Sequence, residues 1–261
     1  MIRRHVRGFI SRRLSSQEVL GLHLTVGLLV CLLLVAAFGI VAHAVVGEEA
    51  LTAFDQRVGH ELQAHRDQHP EARHAMIVVT EIGSPEAMAG LTVLVALALM
   101  MRRRRLLTMV WLFAMVATAL LNSGLKTAFG RDRPPFRDPI IDEQSHSFPS
   151  GHSMGSVIAF GLLAYFLLLA LSDRRERIAV VLVAGSLALL IGFSRIYLGA
   201  HYFSDVVGGF AVGGAWLSVC ISSTEVARRR ARRRHREAAN APHGPPGKGV
   251  GGDEHSGKAA G

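Results

Sequence analysis

Long apolar runs broken by short charged stretches dominate the chain. A helix of about 20 apolar residues crosses a bilayer. Six such segments can be drawn: Leu20 to Val46, Pro85 to Met101, Leu106 to Leu125, His152 to Ser172, Ile178 to Phe193 and Phe203 to Ser222. The expected fold is all-α, a polytopic membrane protein whose residues 20–222 form a bundle of six transmembrane helices. Ser84-Pro85 predicts a helix cap followed by a first-turn proline.

The stretch 47–84 is polar and breaks the pattern. Its apolar positions Leu51, Phe54, Val58 and Leu62 recur at helical spacing, which predicts an extracytoplasmic amphipathic helix lying on the membrane surface. His60, His65, His69 and His74 lack the spacing and carboxylate partners of a metal site and read as a solvated face. The first apolar segment follows a basic start and contains Ala42-His43-Ala44, features of a signal peptide. Its apolar stretch exceeds the ~7–15 residues of a signal core, so a retained anchor is expected.

Composition adds direction. Half of the 261 residues are apolar, and the formal net charge is +9. The arginines cluster at the ends of apolar runs, as topology signals do, without a basic face interleaved with aromatics. Nucleic-acid binding is therefore not expected. Cys31 and Cys220 lie inside apolar runs and read as small buried hydrophobes rather than a disulfide or metal pair. Of the 29 lysines and arginines, 21 fall on one side of the six-span layout. The positive-inside rule puts that side, and both termini, in the cytoplasm. Residues 1–19 become a basic cytoplasmic N-terminus, and 223–261 an arginine-rich tail held by anionic headgroups. The tail is expected to be disordered from Asn240.

The opposite, outer side carries the chemistry. Lys126-x6-Arg133-Pro134 follows the third segment, Phe148-Pro149-Ser150-Gly151-His152 precedes the fourth, and Ser194-Arg195-x5-His201-x3-Asp205 joins the fifth to the sixth. Lys126, Arg133 and Arg195 place three cations at one membrane face with no matching carboxylates in view, which calls for an anion; guanidinium forks suit a phosphate. Ser150-Gly151 at a helix start adds backbone N–H donors and the positive end of the dipole. His201 and Asp205, at i and i+4, would share a helix face, the carboxylate orienting one ring nitrogen and freeing the other to attack phosphorus. His152 would protonate the departing oxygen. No acidic cluster suits magnesium, so neither metal nor cofactor is expected. Arg137 and His146 read as solvated loop residues, Tyr197 and Tyr202 as interface aromatics.

These three segments, in order and without departure, resemble the signature of the type 2 phosphatidic acid phosphatase family. That family includes undecaprenyl-diphosphate phosphatases and vanadium haloperoxidases. The resemblance covers about Ile82 to Ser222. It implies that His201 is the nucleophile, Asp205 its orienting carboxylate and His152 the general acid. It likewise implies that Lys126, Arg133, Ser150, Gly151 and Arg195 form the phosphate cradle.

The expected activity is hydrolysis of a membrane lipid phosphate or diphosphate through a phosphohistidine, with undecaprenyl diphosphate or phosphatidic acid as the substrate type. Phosphatidylglycerol phosphate is the alternative. The site would face the outside of the cytoplasmic membrane; oligomeric state is not legible. Rival readings are a polytopic transporter, which would scatter polar groups at mid-depth, a haloperoxidase, and an anion-binding scaffold without catalysis.

Overall fold

The structure, a computed structural model, describes residues 18–47, 49–138, 140–141 and 143–239. The expectations for most of the basic N-terminus and for a disordered tail from Asn240 lie outside them. Every regular element among the described residues is an α-helix: α1 (Glu18–Gly47), α2 (Glu49–Gln68), α3 (Pro70–Ile82), α4 (Pro85–Met101), α5 (Arg105–Phe129), α6 (Gly151–Leu168), α7 (Arg174–Tyr197) and α8 (Phe203–Ala239). The chain divides after Val226, within α8. All the geometry below belongs to the first unit.

Among the described residues, five helices are long and apolar enough to cross a membrane alone: α1 from Leu24, α5, α6, α7, and α8 as far as Arg234. The remaining expected span, Pro85 to Met101, is 17 residues long. At 1.5 Å per residue it reaches only about 26 Å, short of a ~30 Å hydrocarbon core. It qualifies as a span together with α3, the pair bent by 44°. The local chemistry explains the break. Ser84 Oγ accepts the Ala87 N–H at 3.1 Å, capping α4, and Pro85 occupies the first helical position, where no N–H is required.

The bundle is dressed for lipid. Leu28, Leu32 and Leu33 on α1, Leu94 on α4, Phe113 and Leu120 on α5, and Leu182 and Leu189 on α7 are all more than half exposed. Inside, Met88, Trp111, Ala114, Ile158, Leu162, Phe166 and Cys220 form one core joining α4, α5, α6 and α8. Small residues set the closest approach. A Cβ at Gly209 would stand 2.6 Å from Ser150 O, and one at Gly213 3.0 Å from Met154 O. The Gly209-x3-Gly213 stripe thus lets α8 lie against the start of α6, as small-residue stripes do between membrane helices.

The stretch 47–84 differs from its expected form. It makes two helices, and the residues α2 buries are Asp55, Gly59 and Arg66. Leu51, Val58 and Leu62 are only half-buried, and Phe54 is exposed. This face meets Arg131, Asp138 and Ser204 as well as the Phe136 ring, so polar residues turn inward. Arg73, on α3, grips Asp138 with two hydrogen bonds of 2.5 and 2.8 Å, and Arg66 Nε lies 3.7 Å from the same carboxylate. Asp138 anchors the 130–150 loop to α2 and α3.

Candidate active site

The three signature segments meet at one end of the bundle. Lys126 lies in the last turn of α5, Ser150 caps α6 and Gly151 and His152 open it, Arg195 lies in the last turn of α7, and Asp205 lies in the first turn of α8. Arg133 comes from the loop between α5 and α6. His201 lies in the bend before α8, not on the helix. The shared helix face expected for His201 and Asp205 is therefore corrected: a helix turn does not bring them together. Gly199, at φ +64°, reverses the chain after α7, where a Cβ would stand 2.9 Å from Phe136 O. The Ala200 and His201 N–H groups then return to Arg195 O at 2.9 and 3.2 Å.

His201 is almost fully buried, and its two nitrogens face different groups. Nδ1 lies 3.4 Å from Asp205 Oδ2, and Nε2 lies 3.4 Å from Arg133 Nη1. Such distances are long for hydrogen bonds. Asp205 is held on every side. It accepts from Ser147 Oγ at 2.5 Å, from the Tyr202 N–H at 2.9 Å and from Arg131 Nη1 at 2.5 Å. It thus caps α8 and faces the imidazole at once. Burial pushes His201 down to about 4; Arg133 and Arg195 act in the same direction, while Asp205 opposes them. The ring is neutral at physiological pH.

The cations surround the Nε2 side. Lys126 Nζ donates to Ser145 Oγ at 2.9 Å, and Arg133 donates to Ser145 O at 2.7 Å and Ala200 O at 2.8 Å. Arg195 is buried and donates from Nη1 to Thr80 Oγ1 at 2.7 Å, while its Nε has no hydrogen-bond partner among the described residues. Ser150 Oγ accepts twice from Ser153, from its N–H and from its hydroxyl, which leaves the Ser150 proton to be donated. His152 is half-buried beside Gly83, within electrostatic reach of Arg195, Glu143, His201 and Lys126. All eight sequence-predicted residues stand around one site.

A further expectation about this site fails. The cations do not lack a carboxylate: Glu143, from the 130–150 loop, bridges Arg133 Nη2 at 2.6 Å and Arg195 Nη2. Burial works to raise its carboxyl, but Arg195, His201, Arg133 and His152 outweigh this and hold it down at about 2. Other participants also escaped the sequence reading. Arg131 joins Asp205 to the buried Asp55 of α2 (2.8 Å) and lies 4.3 Å over the Tyr202 ring. Asp55 accepts the Ser204 N–H at 3.0 Å, tying α2 to the start of α8. Tyr197 is corrected from interface aromatic to buried group, its hydroxyl 3.0 Å from His65 Nδ1. Arg137 and His146 are exposed.

Comparison with known proteins extends this geometry. Residues 107–229 match the PAP2 superfamily. Phosphatidylglycerophosphatase B of Bacillus subtilis (strain 168) is 35% identical over 145 residues, which span 55% of this chain and 71% of that protein. The chain belongs to the PAP2 superfamily. Among PAP2 proteins, lipid A 1-phosphatase of Rhizobium johnstonii is 38% identical over 116 residues, 41% of this chain and 43% of the relative. The crystal structure of a transmembrane PAP2-type phosphatidylglycerolphosphate phosphatase from Bacillus subtilis superposes with a TM-score of 0.70 at 29% identity. It covers 78% of this chain and 98% of that one. The all-helical, multi-span architecture is thus that of a membrane PAP2 protein.

Proposed function

We propose that this PAP2-superfamily membrane phosphatase removes the terminal phosphate of a lipid phosphate or diphosphate through a phosphohistidine on His201. The observation that carries the reading is the divided environment of that ring. Asp205 faces Nδ1 and favours a proton there, so the lone pair of Nε2 points toward the Arg133 side. A phosphoryl group seated among Lys126, Arg133, Arg195, Ser150 and the first N–H groups of α6 would meet that lone pair in line. The bond from phosphorus to the lipid oxygen breaks as the bond to Nε2 forms, and His152 gives its proton to the departing oxygen. Water then attacks phosphorus, returns a proton to His152 and releases His201 and inorganic phosphate. Three fixed cations spread over the equatorial oxygens perform the charge neutralisation that a metal ion performs elsewhere. The reaction is assigned to side chains alone.

Two substrate classes stand out. Similarity to Bacillus subtilis phosphatidylglycerophosphatase B supports phosphatidylglycerol phosphate. The positive-inside arrangement supports an outward-facing site with access to undecaprenyl diphosphate, and phosphatidic acid presents the same phosphomonoester. Phosphate release by the detergent-purified protein, with EDTA present, across phosphatidylglycerol phosphate, phosphatidic acid and undecaprenyl diphosphate tests the reading. Turnover of at least one is expected. Release from none, or release only after a divalent metal is supplied, removes the proposal.

A further inference from the structure

Glu143 holds the two guanidiniums that the proposed reaction assigns to the phosphate. Its two oxygens take one guanidinium each, Oε2 from Arg133 and Oε1 from Arg195, and its side chain is 30% exposed. A carboxylate between two guanidiniums mimics a phosphate that uses two of its oxygens. The residue therefore occupies the cradle as an internal anion, on a loop open to water on its other side. Its carboxyl titrates near 2, so it stays charged at any pH at which a membrane enzyme works. Entry of a phosphate is an exchange: one anion leaves the two arginines and another takes them.

We propose that Glu143 is a charge filter on the phosphate site, yielding the Arg133–Arg195 pair to a phosphate with two negative charges and holding it against one with a single charge. The inference rests on the phosphatase reading of this site. A terminal phosphate carries about 1.5–2 negative charges near pH 7, its second pKa being about 6. It brings up to twice the charge that the carboxylate withdraws. A phosphodiester carries one charge, the same as Glu143, and gains nothing by replacing it. The tethered carboxylate also competes at the high effective concentration of an intramolecular ligand, about millimolar or above. The ordinary phospholipids of a bilayer are phosphodiesters present in vast excess over any lipid phosphate. Without the filter, their headgroups would compete for the arginines. With it, bulk lipid is refused, and product phosphate leaves as the carboxylate returns.

Equilibrium binding to the detergent-purified protein separates the alternatives. Inorganic phosphate and the monoanionic diester dimethyl phosphate are titrated calorimetrically into wild type and E143Q at pH 7.5. Wild type is expected to bind phosphate and not dimethyl phosphate. E143Q is expected to bind phosphate roughly ten-fold tighter or more, a gain of ~1.4 kcal/mol or more, and to bind the diester as well. If both proteins bind both anions equally, or E143Q binds phosphate more weakly, the filter is refuted while the phosphate site stands. If wild type binds no phosphate and E143Q binds neither anion, both the filter and the phosphatase reading fall. Inhibition of wild-type turnover by inorganic phosphate adds a test that needs no variant. Its strength should follow the dianion fraction and fall by at least roughly ten-fold from pH 7.5 to pH 5; equal inhibition at both pH values overturns the filter.

Discussion

His201 Nδ1 and Asp205 Oδ2 face each other at 3.4 Å, although His201 precedes α8 and Asp205 lies inside it. Asp205 cannot turn toward any other partner, because Ser147, Tyr202 and Arg131 hold it in place. The ring is oriented by a carboxylate that is itself immobilised from three directions. Nε2 is thereby left on the side of Arg133, where the proposed reaction needs its phosphoryl acceptor.

The proposed division of labour between the histidines makes two variants informative. H201A should abolish lipid-phosphate hydrolysis and prevent any labelled phosphate from being trapped on the protein after acid quench. H152A should slow turnover by roughly 10²–10⁴-fold, the usual contribution of a general acid, while still accumulating labelled protein from a substrate with a good leaving group. Trapped label in H201A, or full activity in H152A, would overturn the assignment.

The pH dependence carries a sign. His201 is pushed down to about 4 in the folded protein, against an ordinary 6.5, so above about pH 5 the ring is neutral, as the proposed nucleophile must be. The acid limb of kcat/KM from this ring should therefore fall near pH 4 rather than near 6.5. Between those values an unfolded chain binds a proton that the folded one refuses, so stability drops as pH falls from 6.5 to 4. Melting temperatures of wild type and H201N across that window measure the effect. The wild-type slope should be steeper, and equal slopes would mean that the ring is not buried neutral.

The three signature segments were legible because each sits beside an apolar run whose ends are marked by charge, so their common membrane face could be counted out. Ser84-Pro85 was legible for a similar reason, since capping is local chemistry. Glu143, Arg131, Asp55 and Asp138 were not. Their partners lie 52, 74, 149 and 65 positions away in the chain, and nothing at short range marks an aspartate or glutamate in a polar stretch as buried. The surface helix expected from Leu51, Phe54, Val58 and Leu62 failed on its facing side for the same reason. Hydrophobic periodicity assumes an apolar partner, and the buried Asp55 and Arg66 of α2 instead meet Arg131, Ser204 and Asp138.

Arg131 provides a test of the unforeseen network. It satisfies Asp205 and Asp55 together, a fork that lysine cannot reproduce. R131A leaves two buried carboxylates facing each other, and losing one partner of a buried pair costs about 3–5 kcal/mol. A clear drop in melting temperature is expected. R131K should retain more stability. Removing the guanidinium charge also favours protonation of His201, so the acid limb of kcat/KM in R131A should move to higher pH. An unchanged melting temperature in R131A would show that Arg131 does not hold these carboxylates.

Orientation rests on charge asymmetry and can be read with single cysteines. In a background with Cys31 and Cys220 replaced, H146C would sit on the exposed loop beside the cradle and R103C at the α4–α5 turn. Arg103 belongs to the run Arg102 to Arg105, whose four charges are hard to move across the bilayer, so the positive-inside rule predicts that turn on the inside. A membrane-impermeant maleimide added to intact cells should label H146C and leave R103C untouched until the membrane is opened. The alternation of spans then gives the site the same outward side as residue 146, because α5, α6, α7 and α8 all present their site residues at one end of the bundle. Labelling of R103C alone in intact cells would invert the topology and place phosphate release in the cytoplasm.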